Sequence, residues 1–289
     1  MTTVSSTIST KQNALRAFVK QNQLISMYIL MFVMAWSVMV PQALYSQGLL
    51  SSPLPLWLEL LTGWAPGIAA VIVSAVIAGR DGVRKLLGHF LIWRVGLQWY
   101  IIALFLLAAV ILGGIGLHVL FGGAVPVIPA AGASVINILL SFALLIVVGV
   151  LINTEEIAWR GFALPRLQAR YNVLVAAVLL AIPEVALHLP LFWVKENPFY
   201  HTVGLFWFSA FSVAALFIYA FIFNKTKGSL LIVTLLHASQ NAWANLLSDN
   251  SLRPFQFTVA LIWMIALGLI FLTKGQLGYI SEQDHSGVE

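Results

Sequence analysis

Cysteine is absent from the 289 residues. That excludes disulfides, a Cys-ligated zinc or iron–sulfur centre, and a thiol nucleophile. Charge is nearly as scarce, with 9% Asp, Glu, Lys and Arg against 61% hydrophobic residues. A soluble domain carries about 25% charged and about 45–50% apolar residues, so a soluble globular fold is excluded too. Aspartate stands only at 81, 249 and 284, all outside the apolar runs, which rules out a buried aspartate pair. No basic stretch is dense enough to track a nucleic acid, so no nucleic-acid partner is expected. What remains is an integral membrane protein of all-α class, a polytopic helical bundle.

The few charges mark the spans, because an ionised side chain inside the bilayer is costly. Runs free of Asp, Glu, Lys and Arg cover 21–58, 60–79, 95–154, 197–224, 228–248 and 254–273, and a further run at 172–193 is interrupted only by Glu184. About 20 apolar residues cross the hydrocarbon core, and the 95–154 run breaks at the Gly/Pro turn GGAVPVIPAAG, residues 122–132. Eight helices are predicted, near 24–44, 58–79, 96–121, 134–153, 172–193, 203–223, 229–247 and 256–273. They form a transmembrane domain at 24–273 between tails at 1–23 and 274–289. The segment GVRKLLGHFLIWR (82–94) has helical spacing of apolar residues and reads as an amphipathic helix on the inner leaflet or as a loop with snorkelling basic residues.

Orientation follows from the bias of Lys and Arg towards cytoplasmic loops. With both termini inside, 13 of the 15 basic residues fall on the inner side, and only Lys195 and Arg253 on the outer. The expected location is a multi-pass protein of a prokaryotic inner membrane.

Several polar residues sit near or within these apolar spans. Glu155 and Glu156 close the fourth span, and Arg160 lies one helical turn after Glu156 on the same face, where the two can pair. Glu155 points about 100° away. A pair of carboxylates at a helix end can simply meet water, yet the negative end of the helix dipole disfavours them there. His188 lies late in the fifth span between Pro183 and Pro190, and reads either as a hydrogen-bonded packing residue or as a functional one. His237 and Asn241 stack four residues apart on the seventh span. Their alternatives are interhelical hydrogen bonding and the lining of a polar cavity. Together these residues are the parts needed to activate water and hold an oxyanion. The zincin pattern H-E-x-x-H is absent, since HASQN lacks its Glu and second His.

EEIAWR resembles the E-E-x-x-x-R signature of the CAAX prenyl protease type II and bacteriocin-processing (CPBP, or Abi) intramembrane proteases. The following GFALPRLQARY resembles the segment after that signature. HLP at 188–190 is similar to the second family motif, F-x-x-x-H, and GSLLIVTLLHASQN at 228–241 to the third, which ends in H-x-x-x-N. All three occur in the family order across about 130–250. One departure stands out: Glu184 occupies the aromatic position of the second motif, placing an ionisable group one helical turn from His188.

The resemblance implies an intramembrane endopeptidase acting on a membrane-associated peptide or lipidated protein. Glu155 would be the general base and His188 would help it polarise the attacking water. His237 and Asn241 would donate to the oxyanion, and Glu156 with Arg160 would hold their helix in place. No cofactor is expected. The variant with zinc places Glu155, His188 and His237 as ligands with water fourth. Eukaryotic relatives trim prenylated C-termini, while bacterial ones are associated with bacteriocin maturation, self-immunity and membrane-anchored regulators. The polar cavity is expected to open towards the cytoplasm. Two other classes use the same residues, a proton-coupled transporter and a catalytically silent membrane scaffold.

Depth poses a problem for that site. At about 1.5 Å per residue, His188 falls about 24 Å from the inner surface, His237 about 12 Å, and Glu155 at the surface itself. Straight helices do not bring them together. Either the fourth helix carries Glu155 inward, or the fifth tilts and bends at Pro183.

Overall fold

The computed structural model describes residues 13–279, and all regular structure among them is helical. Residues 1–12 and 280–289, which make up much of the two expected tails, lie outside the described residues. Residues 13–21 are helical, and after them come α1 Gln23–Ser46, α2 Glu59–Gly88, α3 Leu97–Leu120, α4 Val135–Ile152, α5 Leu164–Gln168, α6 Val173–Leu187, α7 Pro198–Lys225, α8 Leu230–Leu247 and α9 Leu252–Leu272. Among the described residues six helices are long and apolar enough to cross a membrane: α1, α2 with its 3₁₀ extension to Leu91, α3, α4, α7 and α9. Of the other two expected spans, α6 is apolar but only 15 residues long, and α8 carries the His237–Asn241 polar stretch.

Local chemistry explains three of the helix starts. Ser134, Asn172 and Ser229 cap α4, α6 and α8, each accepting from a backbone N–H three residues on. Two long helices are broken in place. α2 leaves helical geometry at Ala78 and Gly79, where Gly79 has φ 60°, a value that favours glycine. Residues 82–88 after the break and the 3₁₀ turn His89–Leu91 form the helical part of the expected amphipathic segment, and its Leu86 is buried while Leu87 and Leu91 are exposed. α7 breaks likewise at Gly204, φ 71°.

The fourth crossing departs most from expectation. Its helix stops at Ile152, and after Asn153 and Thr154 the chain resumes as a π-helix, Ile157–Ala163, that runs into α5. Thr154 anchors this break on α2. Its backbone N–H donates to the carbonyl of Gly63 (3.0 Å), and its hydroxyl donates to the same carbonyl (2.8 Å). The hydroxyl also accepts from the Gly67 N–H at 3.0 Å. These partners form a G-x-x-x-G pair, Gly63 to Gly67, which permits close approach; a Cβ at Gly67 would lie 2.5 Å from the Thr154 hydroxyl oxygen. Irregular backbone at membrane depth needs such internal partners.

α8 packs against both α3 and α4, while α9 bridges α3 and α7, α6 lies on α7, and α1 lies on α2. The π segment is wedged between α2, α8, α6 and α5.

Candidate active site

The break at Asn153 resolves the depth problem in favour of the first alternative. Glu155 is not the end of a helix meeting water; it is buried at the start of a second helical stretch that runs through the π turn to Gln168. π-Helical turns are uncommon and concentrate at functional sites. Here the turn buries Ala158, Trp159, Arg160, Gly161, Phe162 and Ala163. Gly161 faces Leu86 and Leu230 so closely that a Cβ there would sit 3.0–3.1 Å from their methyls.

Glu155 is 9% exposed. Its Oε2 accepts from the indole N–H of Trp159 at 3.0 Å, which turns Oε1 towards His188, whose Nε2 is 4.0 Å away. His188 is not inside a helix as expected. It caps α6, and a 3₁₀ turn starting at Leu189–Pro190 follows. Its Nδ1 donates to the Glu184 carbonyl at 2.8 Å. That acceptor sets the tautomer, leaving the Nε2 lone pair directed at Glu155 in the neutral ring. Tyr200 and Phe208 hold the ring, with centroids 6.2 and 5.2 Å away.

The second cluster is built on Glu156, which is 1% exposed. Arg160 Nη1 donates to Glu156 Oε1 at 3.0 Å, as the spacing predicts. The same nitrogen lies 3.4 Å from Glu184 Oε2, so Glu184 turns its carboxylate to Arg160 while offering only its carbonyl to His188. The guanidinium also stacks over the Tyr219 ring at 4.3 Å, and the Tyr219 hydroxyl donates to Gln240 at 3.2 Å.

His237 belongs to this second cluster. Its Nδ1 lies 2.8 Å from Glu156 Oε1 and donates to it. Its Nε2 is 3.1 Å from the Asn153 amide nitrogen, and Asn153 Oδ1 accepts from the Glu155 backbone N–H at 2.9 Å. One amide orientation satisfies both contacts, so Asn153 ties the carboxylate of the first cluster to the imidazole of the second. In this state Nε2 accepts, and it becomes a donor only when the ring gains a proton. Asn241, one turn on, lines the cavity. Its side-chain amide makes no hydrogen bond within the chain among the described residues; only its backbone carbonyl is used, by Asn245.

A catalytic zinc needs its ligands to converge on one point. Among the described residues no three His, Asp or Glu side chains do so, and both His237 nitrogens are engaged elsewhere. Glu155, His188 and His237 therefore do not form a zinc site as they stand.

Sequence reasoning missed Asn153, Thr154, Trp159 and Tyr219. Trp159 had a signal, being one helical turn from Glu155. Asn153, Thr154 and Tyr219 reach His237, Gly63 and Arg160 across 84, 91 and 59 residues of chain, and no local pattern marks them.

All six candidate residues line one cavity of about 800 Å³. Its remaining walls come from α3, from the aromatic side of α7 and from the start of α9, and the lining extends to Pro126, Glu196 and Asp249 in the loops. The lining extends into the loops at 126–129, 196–197 and 248–250, at the end of the bundle that carries Lys195 and Arg253.

Residues 134–243 match the family described as Type II CAAX prenyl endopeptidase Rce1-like. The match spans all three motifs and the segment from Asn153 to Asn241 that builds the site. No curated protein matches the chain.

Proposed function

Starting from a site-bearing segment of the Rce1-like type II CAAX endopeptidase family, we propose that this multi-pass membrane protein hydrolyses a peptide bond with water activated by Glu155 and His188, without a metal. The observation that carries the reading is the pairing of Glu155 Oε1 with His188 Nε2 at 4.0 Å on a cavity wall. That gap is too long for a direct hydrogen bond and suits one bridging water. The water donates one hydrogen to Glu155 and the other to His188 Nε2, which leaves an oxygen lone pair for the scissile carbonyl carbon.

In the reaction, Glu155 takes the proton as the water oxygen bonds to that carbon. The amide side chain of Asn241 donates to the resulting oxyanion. His237, protonated at Nε2 with Glu156 holding Nδ1, supplies the second donor. Collapse breaks the C–N bond, and the proton on Glu155 passes to the leaving amine. Glu156, Arg160 and Glu184 form the buried support that orients His237. Eight crossings, with both ends of the chain in the cytoplasm of a prokaryotic cell, complete the reading.

The test is mass-spectrometric detection of cleavage in a panel of membrane-reconstituted peptides, some prenylated and some not. Wild-type protein should cut at least one and the Glu155→Gln variant none. Undiminished cleavage by that variant would reject the mechanism.

A further inference from the structure

The two ends of the bundle are tied off by different contacts. At one end, Gln47 donates to the Trp193 carbonyl at 2.6 Å, Ala130 N–H to the Leu246 carbonyl at 2.9 Å, and Arg253 to the Phe121 carbonyl at 3.1 Å. At the other end, Arg166 donates to Gln23 at 2.8 Å, and His89 lies 2.7 Å from the Gly228 carbonyl. Ser229 donates to the Ile92 carbonyl there at 2.6 Å. The first end joins the loops after α1, α3, the 3₁₀ turn at Leu189–Trp193, and α8. The second joins the segments after α2, α5 and α7.

The cavity communicates with the first end alone. Its outermost lining residues are Pro126, Pro129, Glu196, Asn197, Asp249 and Asn250, all from loops of that end. No residue from 80–96, 164–172 or 224–229, the connections of the second end, lines it. Between the site and the second end the bundle is filled: Trp159, Phe162 and Leu164 are each 0% exposed, and Leu230 is as well.

Charge distinguishes the same two ends. The first carries Lys195 and Arg253; Arg160 is buried in the site, and the other 11 basic residues among those described, from Arg16 to Lys274, belong to the second end or the segments leading to it. Short loops rich in Lys and Arg stay in the cytoplasm. The filled end therefore faces the cytoplasm and the open end faces away from it.

We infer that the site is reached from the extracytoplasmic face, and that its substrate is a polypeptide presented there, the membrane-proximal segment of an exported or membrane-anchored protein. A lipidated C-terminus delivered from the cytosol has no path to Glu155 through the filled end. The inference rests on the peptidase reading for the kind of substrate, but the side of access stands on geometry and charge alone.

The absence of cysteine makes the test direct. Single replacements Asp249→Cys, at the mouth, and Asn245→Cys, on the cavity wall, are made in the natural chain and expressed in a bacterial inner membrane. Ala169→Cys, exposed at the filled end, is the counterpart. A membrane-impermeant maleimide applied to intact cells with a permeable outer envelope should label Asp249→Cys and Asn245→Cys and leave Ala169→Cys unlabelled. Inverted vesicles should reverse the pattern. Labelling of Asp249→Cys or Asn245→Cys only in inverted vesicles would overturn the inference, as would labelling of Ala169→Cys in intact cells. The unlipidated peptides of the panel, added outside sealed vesicles, should be cut by right-side-out vesicles and not by inverted ones; cutting only by inverted vesicles would also overturn it. If Asp249→Cys is labelled from outside and peptides are cut from neither side, the peptidase reading fails while the side of access holds.

Discussion

The fourth crossing is made of two stretches that behave as opposites. Val135–Ile152 has the highest mean hydropathy of the candidate spans, 3.0, and not one buried residue. From Ala158 to Leu164 every residue is buried, an arginine included. The comparison teaches that apolarity in a membrane protein measures contact with lipid. Lipid tails are as apolar as leucine, so helices gain little by hiding leucines from them. They associate instead through small residues, close packing and polar pairs, which is what Gly161, Trp159 and Arg160 supply.

That contrast can be broken or sharpened by substitution. The largest effect is expected at the start of the buried stretch. Glu155→Gln should lower turnover by about 10²–10⁴, the usual range for a lost general base, with little change in thermal stability in detergent. Next comes Arg160→Met, which leaves Glu156 and Glu184 without their shared cation. Breaking a buried pair in this way costs about 3–5 kcal/mol, to be seen as a lowered melting temperature. An unchanged melting temperature would show that the burial of this stretch does not depend on its ions.

Asn241→Ala, outside both stretches, asks whether the chemistry extends to α8. Loss of one oxyanion donor predicts a fall of about 10²–10³ in kcat, and the wild-type rate should survive treatment with a zinc chelator. Loss of activity with chelator, restored by zinc, would instead make Glu155, His188 and His237 ligands. At the junction of the two stretches, Asn153→Ala removes two hydrogen bonds of about 0.5–1.5 kcal/mol each. It should lower kcat by about ten- to a hundredfold at nearly constant KM, since Asn153 positions Glu155 and His237 and does not bind the peptide. The smallest effect is expected in the lipid-facing stretch, where Leu144→Ala should stay within about 0.5 kcal/mol of wild-type stability. A large loss there would mean that α4 meets a protein partner on its exposed face.

Parts of the site were legible one residue at a time. The Glu156–Arg160 pair follows from helical spacing, and it forms at 3.0 Å. The clustering of Glu155, His188 and His237 was legible only through motifs, because nothing in local spacing brings His188, 33 positions on from Glu155, or His237, 81 positions on from Glu156, onto these carboxylates. Glu184 was read as a neighbour of His188 and proved to be a second carboxylate on Arg160. Helical spacing identified the right turn, but side-chain direction depended on where the guanidinium of another helix lay. The reach of the cavity towards the loops at 126–129, 196–197 and 248–250 was not legible for a similar reason. His237 lies nearer the basic end of its own helix, yet α5 and the π segment fill the space beneath it.

What the sequence by itself determined is set by free energies of transfer and by local spacing. Residues that lipid accepts lie in long runs, the charges that lipid rejects mark the ends of those runs, and Lys and Arg are unevenly shared between the two sides. Only the tertiary structure decided where the fourth crossing breaks, which imidazole serves which carboxylate, and which end of the bundle stays open. The physical reason is hydrogen-bond satisfaction in hydrocarbon. Without water, the freed backbone groups at Asn153–Thr154 and the buried ions must find protein partners. Those partners, Gly63, Gly67, Glu184 and His237, come from helices far away in the chain.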